Sequence, residues 1–303
     1  MLVWLNGRVL PAARARVAAL DRGLLHGDGA YDTWRTYAGE PFAVAAHVRR
    51  LAAAARALGL PAPGPPTLWA ARSRLLVRRS GFGDAAVRLT ITRGAAGEAP
   101  LATRAAPPTR LLTVRPLPAD LARRQARGIA AVLLPFPRST AAPWGAFKLV
   151  GNPSAVVGRR LAARRRADEG LYVAAGGTVT EGTTTNVFAL TRRGLVTPPA
   201  DGVLLAGVTR DLVLRLARAA GIPVHEAPLR AAALGRAAEL FVTASTVEIL
   251  PVVRLDGRPI ADARPGPVTR RLQALYAAHV ARVLAGGGAA RVSARVAGAA
   301  KSC

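Results

Sequence analysis

The chain opens on two short apolar runs, Val3-Trp4-Leu5 and Arg8-Val9-Leu10, separated by Asn6-Gly7. Asn-Gly between such runs predicts a β-hairpin, because both turn positions need a positive φ. A Gly-rich stretch from Asp21 to Gly29 leads into an expected strand, Ala30 to Tyr37, closed by Ala38-Gly39. From His47 to Leu58 the apolar positions recur at helical spacing and stop at Gly59; the proline cluster from Pro61 to Pro66 separates this helix from a second, Leu68 to Ser80. Val87, Leu89 and Ile91 alternate with Arg88 and Thr90, the pattern of a half-buried strand. Gly94 to Pro108 reads as a loop, and strands are expected at Leu111 to Val114 and Ile129 to Leu134.

In the second half strands and helices alternate. Asn152-Pro153 predicts an N-cap with Pro at the first helical position, opening a helix to about Arg166. Strands are expected near Leu171 to Val173, Asn186 to Leu190 and Leu240 to Val242, and Asp256-Gly257 predicts a second hairpin turn. Helices are expected from Gly207-Val208-Thr209 to Ala220-Gly221 and from Pro267 to about Leu284. There is no internal repeat. We expect an N-terminal domain over 1–120, a linker over 121–130, a C-terminal domain over 131–285 and a mobile tail over 286–303.

Composition changes the picture in two ways. Half of the 303 residues are apolar, enough for a substantial core, which excludes a largely disordered chain. The 43 basic and 17 acidic residues give a formal charge of +26, which points first to nucleic acid or an anionic surface. The arginines are nevertheless spread along the whole chain without aromatic interleaving, so nucleic-acid binding is not expected as the main role. Cys303 is the only cysteine and the four histidines are scattered, which excludes an intramolecular disulfide and offers no metal-ligand spacing. No apolar stretch has the length of a membrane span and the start of the chain has no secretory leader pattern, so a cytoplasmic protein without membrane partners is expected.

The basic set is lopsided: Lys148 and Lys301 are the only lysines, and Lys301 stands third from the end. A chain that otherwise uses Arg and keeps one internal Lys points to a need for an amine, since Arg cannot act as a neutral nucleophile. Glu181, in Val179-Thr180-Glu181-Gly182-Thr183-Thr184-Thr185-Asn186, is read as lying in a small-residue loop just before a strand. An acid there is either solvated or poised to pair with a protonated ring nitrogen. Gly207-Val208-Thr209 at a helix start and Thr243-Ala244-Ser245-Thr246 after a strand are candidate anion cradles, and Arg50 is a candidate charge partner for a phosphate.

These pieces, in the order WLNG, DRGLLHGDGAYDTWRTYAGEPF, HVRRL, FKLVGN, ADEGLYV, VTEGTTTNVFAL, LLAGVTRDLVLRLA and VTASTVEILPVVRLDGRPI, resemble the class IV aminotransferases, the fold-type IV enzymes of pyridoxal 5'-phosphate (PLP). The similarity runs from about Trp4 to Val280. It implies an α+β fold of two domains, an N-terminal α/β sandwich and a C-terminal α/β pseudo-barrel, with PLP between them, in an enzyme that is usually a homodimer. It implies that Lys148 is the catalytic Schiff-base lysine, that Glu181 contacts the pyridine nitrogen, that Leu205 packs on the ring, and that Arg50, Val208, Thr209 and Ser245 hold the phosphate. Tyr31, Arg35, Ser245 and Thr246 would line the substrate pocket.

Two departures from the family pattern bear on substrate. Pro153 stands where branched-chain enzymes with a Lys-x-x-Gly-Asn run usually carry a Tyr that bonds the ring hydroxyl, and no Arg-x-His carboxylate clamp of the D-amino-acid subgroup follows Thr92-Arg93-Gly94. The expected activity is transfer of an amino group from an aliphatic, branched-chain-like amino acid to a 2-oxo acid. An aminodeoxychorismate lyase, and behind it a D-amino-acid or (R)-amine transaminase, are the alternatives.

Overall fold

The computed structural model describes residues 1–95, 107–138 and 143–299, with side chains described through residue 286. The first hairpin joins β1 (Leu2–Leu5) to β2 (Arg8–Pro11). Asn6 and Gly7 take φ of 46° and 98°, the geometry that Asn-Gly predicts. The Gly-rich stretch forms a short helix, α1 (Arg22–His26), before the long strand β3 (Gly29–Tyr37) and the short β4 (Glu40–Pro41). Helices α2 (Val44–Ala57) and α3 (Pro66–Arg79) follow, then β5 (Ala85–Thr92) and β6 (Thr109–Pro116). The middle of the loop expected between Gly94 and Pro108, with Glu98, lies outside the described residues.

These six strands make one antiparallel sheet in the order β2-β1-β6-β5-β3-β4. One face buries Trp34, Val87, Leu89 and Leu112 against α2 and α3. The polar edges of the two buried tryptophans are satisfied inside that core: Trp34 Nε1 donates to Ser73 Oγ (3.1 Å) and Trp69 Nε1 to the Pro63 carbonyl (2.9 Å). The other face of β3 presents Tyr31 and Thr33 away from this core.

The interval expected as a linker, 121–130, is ordered structure: helix α4 (Leu121–Arg127) running straight into β7 (Ile129–Leu134). Arg124 on α4 bonds Asp120 at the start of the helix and Asp168, which ties the helix to a distant segment. Helix α5 (Pro153–Arg164) begins as expected, with Asn152 Oδ1 accepting from the Ala155 N–H and Pro153 at its first position. Strands β8 (Glu169–Ala174), β9 (Thr178–Gly182), β10 (Asn186–Thr191) and β11 (Gly194–Thr197) follow. Then come α6 (Val208–Ala219), β12 (Val224–Glu226), β13 (Leu229–Arg230), α7 (Ala231–Leu234), β14 (Glu239–Ala244), β15 (Glu248–Leu255), β16 (Arg258–Pro259) and α8 (Pro267–Ala299). The last helix is longer than expected and overlaps the tail predicted over 286–303 as far as Ala299. Residues 300–303 lie outside the described residues.

The second sheet has the order β12-β11-β10-β14-β15-β7-β8-β9-β13, with β16 paired to β15. It is mixed: β7 runs parallel to both β15 and β8, and β11 runs parallel to β12, while the other pairs are antiparallel. One apolar cluster fills its interior around Leu171, Val187 and Val242, and a second packs α6 and α8 on it around Phe188 and Phe241. Those two rings are directly opposed on β10 and β14 and stack at 4.9 Å, tying the strands that carry Asn186 and Thr243.

Candidate active site

A cavity of about 560 Å³ lies between the two sheets. Tyr31 and Thr33 of β3, Arg88 of β5 and Arg115 of β6 form one side; Glu181 of β9, Asn186 of β10 and Thr243 of β14 form the other. Lys148 stands at the junction. The segment carrying it is pinned along β3: the Tyr31 N–H donates to the Lys148 carbonyl and the Val150 N–H to the Gly29 carbonyl, both at 2.9 Å. Gly27 makes this approach possible. It caps α1 at φ 67°, and a Cβ there would sit 2.9 Å from the Val150 carbonyl oxygen. The Lys148 ammonium is 5.4 Å from the centre of the Tyr31 ring.

Glu181 is buried and lies on β9, a strand, and not in the loop the residues suggested; alternation along that strand turns Glu181 inward while the small-residue turn begins only at Thr183. Its Oε2 accepts from the Leu205 N–H at 3.2 Å and its Oε1 from Arg138. Burial pushes the Glu181 carboxyl up, and Arg138, the Leu205 N–H and Lys148 pull it back toward the charged form. Arg138 also donates to the Gly145 carbonyl (2.6 Å) and the Phe147 carbonyl (3.3 Å), so one guanidinium couples Glu181 to the segment that delivers Lys148. Sequence reasoning missed Arg138, since one Arg in a chain with this many carries no signal.

At the other end of the cavity the N-terminus of α6 has no side-chain cap, leaving the first N–H groups, at Val208 and Thr209, without an intrahelical partner. Thr209 Oγ1 and Ser245 Oγ stand 3.4 Å apart there. Arg50 enters from α2, donating to the Ala206 carbonyl (2.9 Å) and to both carboxylate oxygens of Asp32 (2.8 Å each). The Thr243 hydroxyl is buried beside them with no hydrogen-bond partner. Uncapped N–H groups, hydroxyls and a guanidinium form a cup that suits a phosphate. Among the described residues six of those lining the cavity are basic and only Glu181 is acidic.

Lys148, Glu181, Arg50, Leu205, Val208, Thr209, Ser245, Thr246 and Tyr31 thus all border one cavity. Arg35 does not. It shares a face of β3 with Tyr31, but its guanidinium is taken by Asp84 (2.7 Å) and Glu248 (2.8 Å) beyond the cavity wall, where it ties the first sheet to β15. Asp32 and His47, buried behind the cup, were also missed; the available signal was an acid in step with Ala30 and Trp34 on the apolar face of β3.

One amine, one buried carboxyl and a phosphate cup around a cavity lined from both sheets define a site for a carbonyl compound that carries a phosphate. Residues 29–255 match the model of the amino-transferase class IV family. A Methanocaldococcus jannaschii protein assigned as a branched-chain-amino-acid aminotransferase is 32% identical over 273 residues, covering 90% of this chain and 94% of its own length. D-alanine aminotransferase of Staphylococcus aureus is 29% identical over 272 residues, covering 89% and 95%. The structure of the T.th. branched-chain amino acid aminotransferase with pyridoxamine 5'-phosphate superimposes with a TM-score of 0.84 at 27% identity, covering 92% of this chain and 93% of that one. The chain belongs to the class IV aminotransferases.

Proposed function

We propose that this enzyme is a PLP-dependent aminotransferase that takes the amino group of an aliphatic amino acid and passes it to a 2-oxo acid. The observation that carries the reading is the placing of Lys148, the single internal lysine, in a cavity that also holds Glu181 and the α6 cup. When bound, PLP supplies an aldehyde carbon for the amino group and a ring that withdraws electrons. Lys148 Nζ provides the competing amine and carries the proton to and from the substrate carbon. Glu181 accepts from the ring N–H, and Arg138 keeps its carboxyl oriented. Leu205, whose N–H is held by Glu181, would pack on the ring. The Val208 and Thr209 N–H groups, the Thr209 and Ser245 hydroxyls and Arg50 bind the phosphate, and Tyr31 with the Ser245-Thr246 turn borders the substrate.

A dicarboxylic acceptor such as 2-oxoglutarate suits the cavity wall. Arg88 lies with its guanidinium 3.5 Å from the centre of the Tyr31 ring, bonds only Thr90 Oγ1, and forms no ion pair among the described residues. Pro153 contributes no donor to the ring hydroxyl, so that contact falls to other groups. The two sheets form the two domains of the enzyme, joined at α4. The active form is a homodimer of the cytoplasm; no described helix is long and apolar enough to cross a membrane.

Absorbance of the purified protein with added PLP tests the central claim. The wild type is expected to show a borohydride-reducible band that Lys148→Ala lacks; a band insensitive to that substitution removes Lys148 from its role. Amino exchange between L-leucine or L-valine and 2-oxoglutarate then tests the substrate class. Pyruvate release without an amino acceptor, or activity confined to D-amino acids or (R)-1-phenylethylamine, would overturn it.

A further inference from the structure

His47 is buried behind the phosphate cup, 1% exposed, and joins two residues of different character. Its Nδ1 is 2.9 Å from Asp32 Oδ1, and its Nε2 is 3.3 Å from Ser245 Oγ. Asp32 is also engaged by Arg50 and by the Thr33 N–H (2.7 Å). Burial works against its charge, but Arg50 and His47 outweigh it and hold the carboxyl well below the ordinary aspartate range. A carboxylate only accepts, so His47 Nδ1 carries a proton. Burial also holds His47 below its ordinary value; Arg50 and Lys148 add to that, and Asp32 opposes it. Of the charged groups acting on the ring, Asp32, Arg50 and Lys148 weigh most; Trp34 packs beside it at 6.1 Å and Ser245 faces it from the turn after β14.

The proton inventory then fixes the direction of every bond in the row. A neutral imidazole with its proton on Nδ1 can only accept at Nε2, so the Ser245 hydroxyl spends its one hydrogen on His47. Ser245 Oγ is left facing the cup with lone pairs. A phosphate oxygen arriving there also offers only lone pairs. A second proton on the imidazole removes the conflict: Nε2–H donates to Ser245 Oγ, and the Ser245 hydroxyl hydrogen turns to the phosphate.

We propose that Asp32 and His47 are positioning residues that set the direction of the Ser245 hydroxyl, and that seating a phosphate monoester in the cup takes up one proton from solvent at His47 Nε2. This rests on the cup being the cofactor phosphate site. The resulting row is carboxylate, imidazolium, hydroxyl, phosphate, with one hydrogen in each gap. The Arg50–Asp32 pair sits at its far end, so the guanidinium that reaches the cup and the imidazole share one counter-charge.

Pyridoxine 5'-phosphate tests this, because its alcohol cannot react with Lys148. Binding is followed by calorimetry at about pH 8, where the ester is a dianion, its second pKa being about 6. Buffers of different ionisation enthalpy report the protons taken up. The wild type is expected to take up about one proton more than His47→Asn, which keeps a donor toward Asp32 but cannot titrate. Ser245→Ala is expected to lose the same uptake, and wild-type affinity to fall with rising pH while that of His47→Asn stays flat. Equal uptake in wild type and His47→Asn, or undiminished uptake in Ser245→Ala, overturns the proposal and leaves the cofactor reading standing. If His47→Asn does not fold, ¹⁵N resonances of the wild-type imidazole decide: Nε2 must pass from unprotonated to protonated on ligand addition, and an unchanged Nε2 overturns the proposal. A wild type that does not bind the ester at all overturns the cofactor reading and this inference together.

Discussion

Arg88 shows how one residue discriminates between substrates. The Tyr31 ring lies under its guanidinium, and burial, with Arg115 nearby, pushes its pKa below the ordinary arginine value. A cation in that state gains most from an anion that brings its own charge into the cavity. Arg88→Leu is therefore expected to raise KM for 2-oxoglutarate by about tenfold or more, the loss of one charge-assisted hydrogen bond, and to leave KM for a 2-oxo acid with an aliphatic side chain within about twofold. Steady-state kinetics with the two acceptors measures the difference, and equal losses with both would assign Arg88 to the shared carboxylate instead. Residues of this scale were unevenly legible. Lys148 stood out because lysine is scarce, and Glu181 because it interrupts a run of small residues. Arg88, Arg115 and Arg138 are three among 43 basic positions, and only the folded strands separate those that face the cavity from those that face water.

At the scale of elements, the turn between β9 and β10 is built by a residue outside it. Glu169, at the start of β8 and 3% exposed, accepts from the Gly170 N–H (2.9 Å), the Thr183 N–H (3.1 Å), the Thr183 hydroxyl and the Thr185 hydroxyl (3.1 Å). Thr183 to Thr185 line the cavity between Glu181 and Asn186, so Glu169 shapes the site without facing it. Glu169→Ala strands these donors in a buried place, at about 1–3 kcal/mol for each that finds no water. We expect a lower urea midpoint and about tenfold weaker PLP binding, the worth of roughly one lost hydrogen bond at the site, read by fluorescence titration of the folded variant. Loss of stability with unchanged PLP affinity would show that the turn does not shape the cofactor site. Such long-range support explains which elements were legible. The hairpin at Asn6-Gly7 and the helix opened by Asn152-Pro153 are set by their own residues. Strand β9 was not, because Thr178-Val179-Thr180-Glu181-Gly182 has little apolar alternation of its own and owes its conformation to pairing with β8 and β13.

Over the whole molecule, 43 basic against 17 acidic residues leave at least 26 cations without an acid of their own. The ion pairs that do form consume the acids at structural joints: Asp28 serves both Arg22 and Arg93, and Glu226 serves both Arg210 and Arg218. The remaining charge is a field, and the cavity lies within it, with Arg88, Arg115 and Arg159 among its lining. Focusing by a cleft of one sign raises the association rate of an anion by about 10- to 1,000-fold at low salt. Salt shortens its reach from about 30 Å at 10 mM to about 8 Å at 150 mM. The donors inside the cup act over hydrogen-bond distances and are screened far less. Stopped-flow binding of pyridoxine 5'-phosphate should therefore show an association rate that falls by about an order of magnitude between these two salt concentrations, while the dissociation rate changes by no more than about twofold. A flat association rate would mean that the surface arginines do not reach the cavity electrostatically. A dissociation rate that rises in parallel would place the salt-sensitive contacts inside the cup and not on the surface.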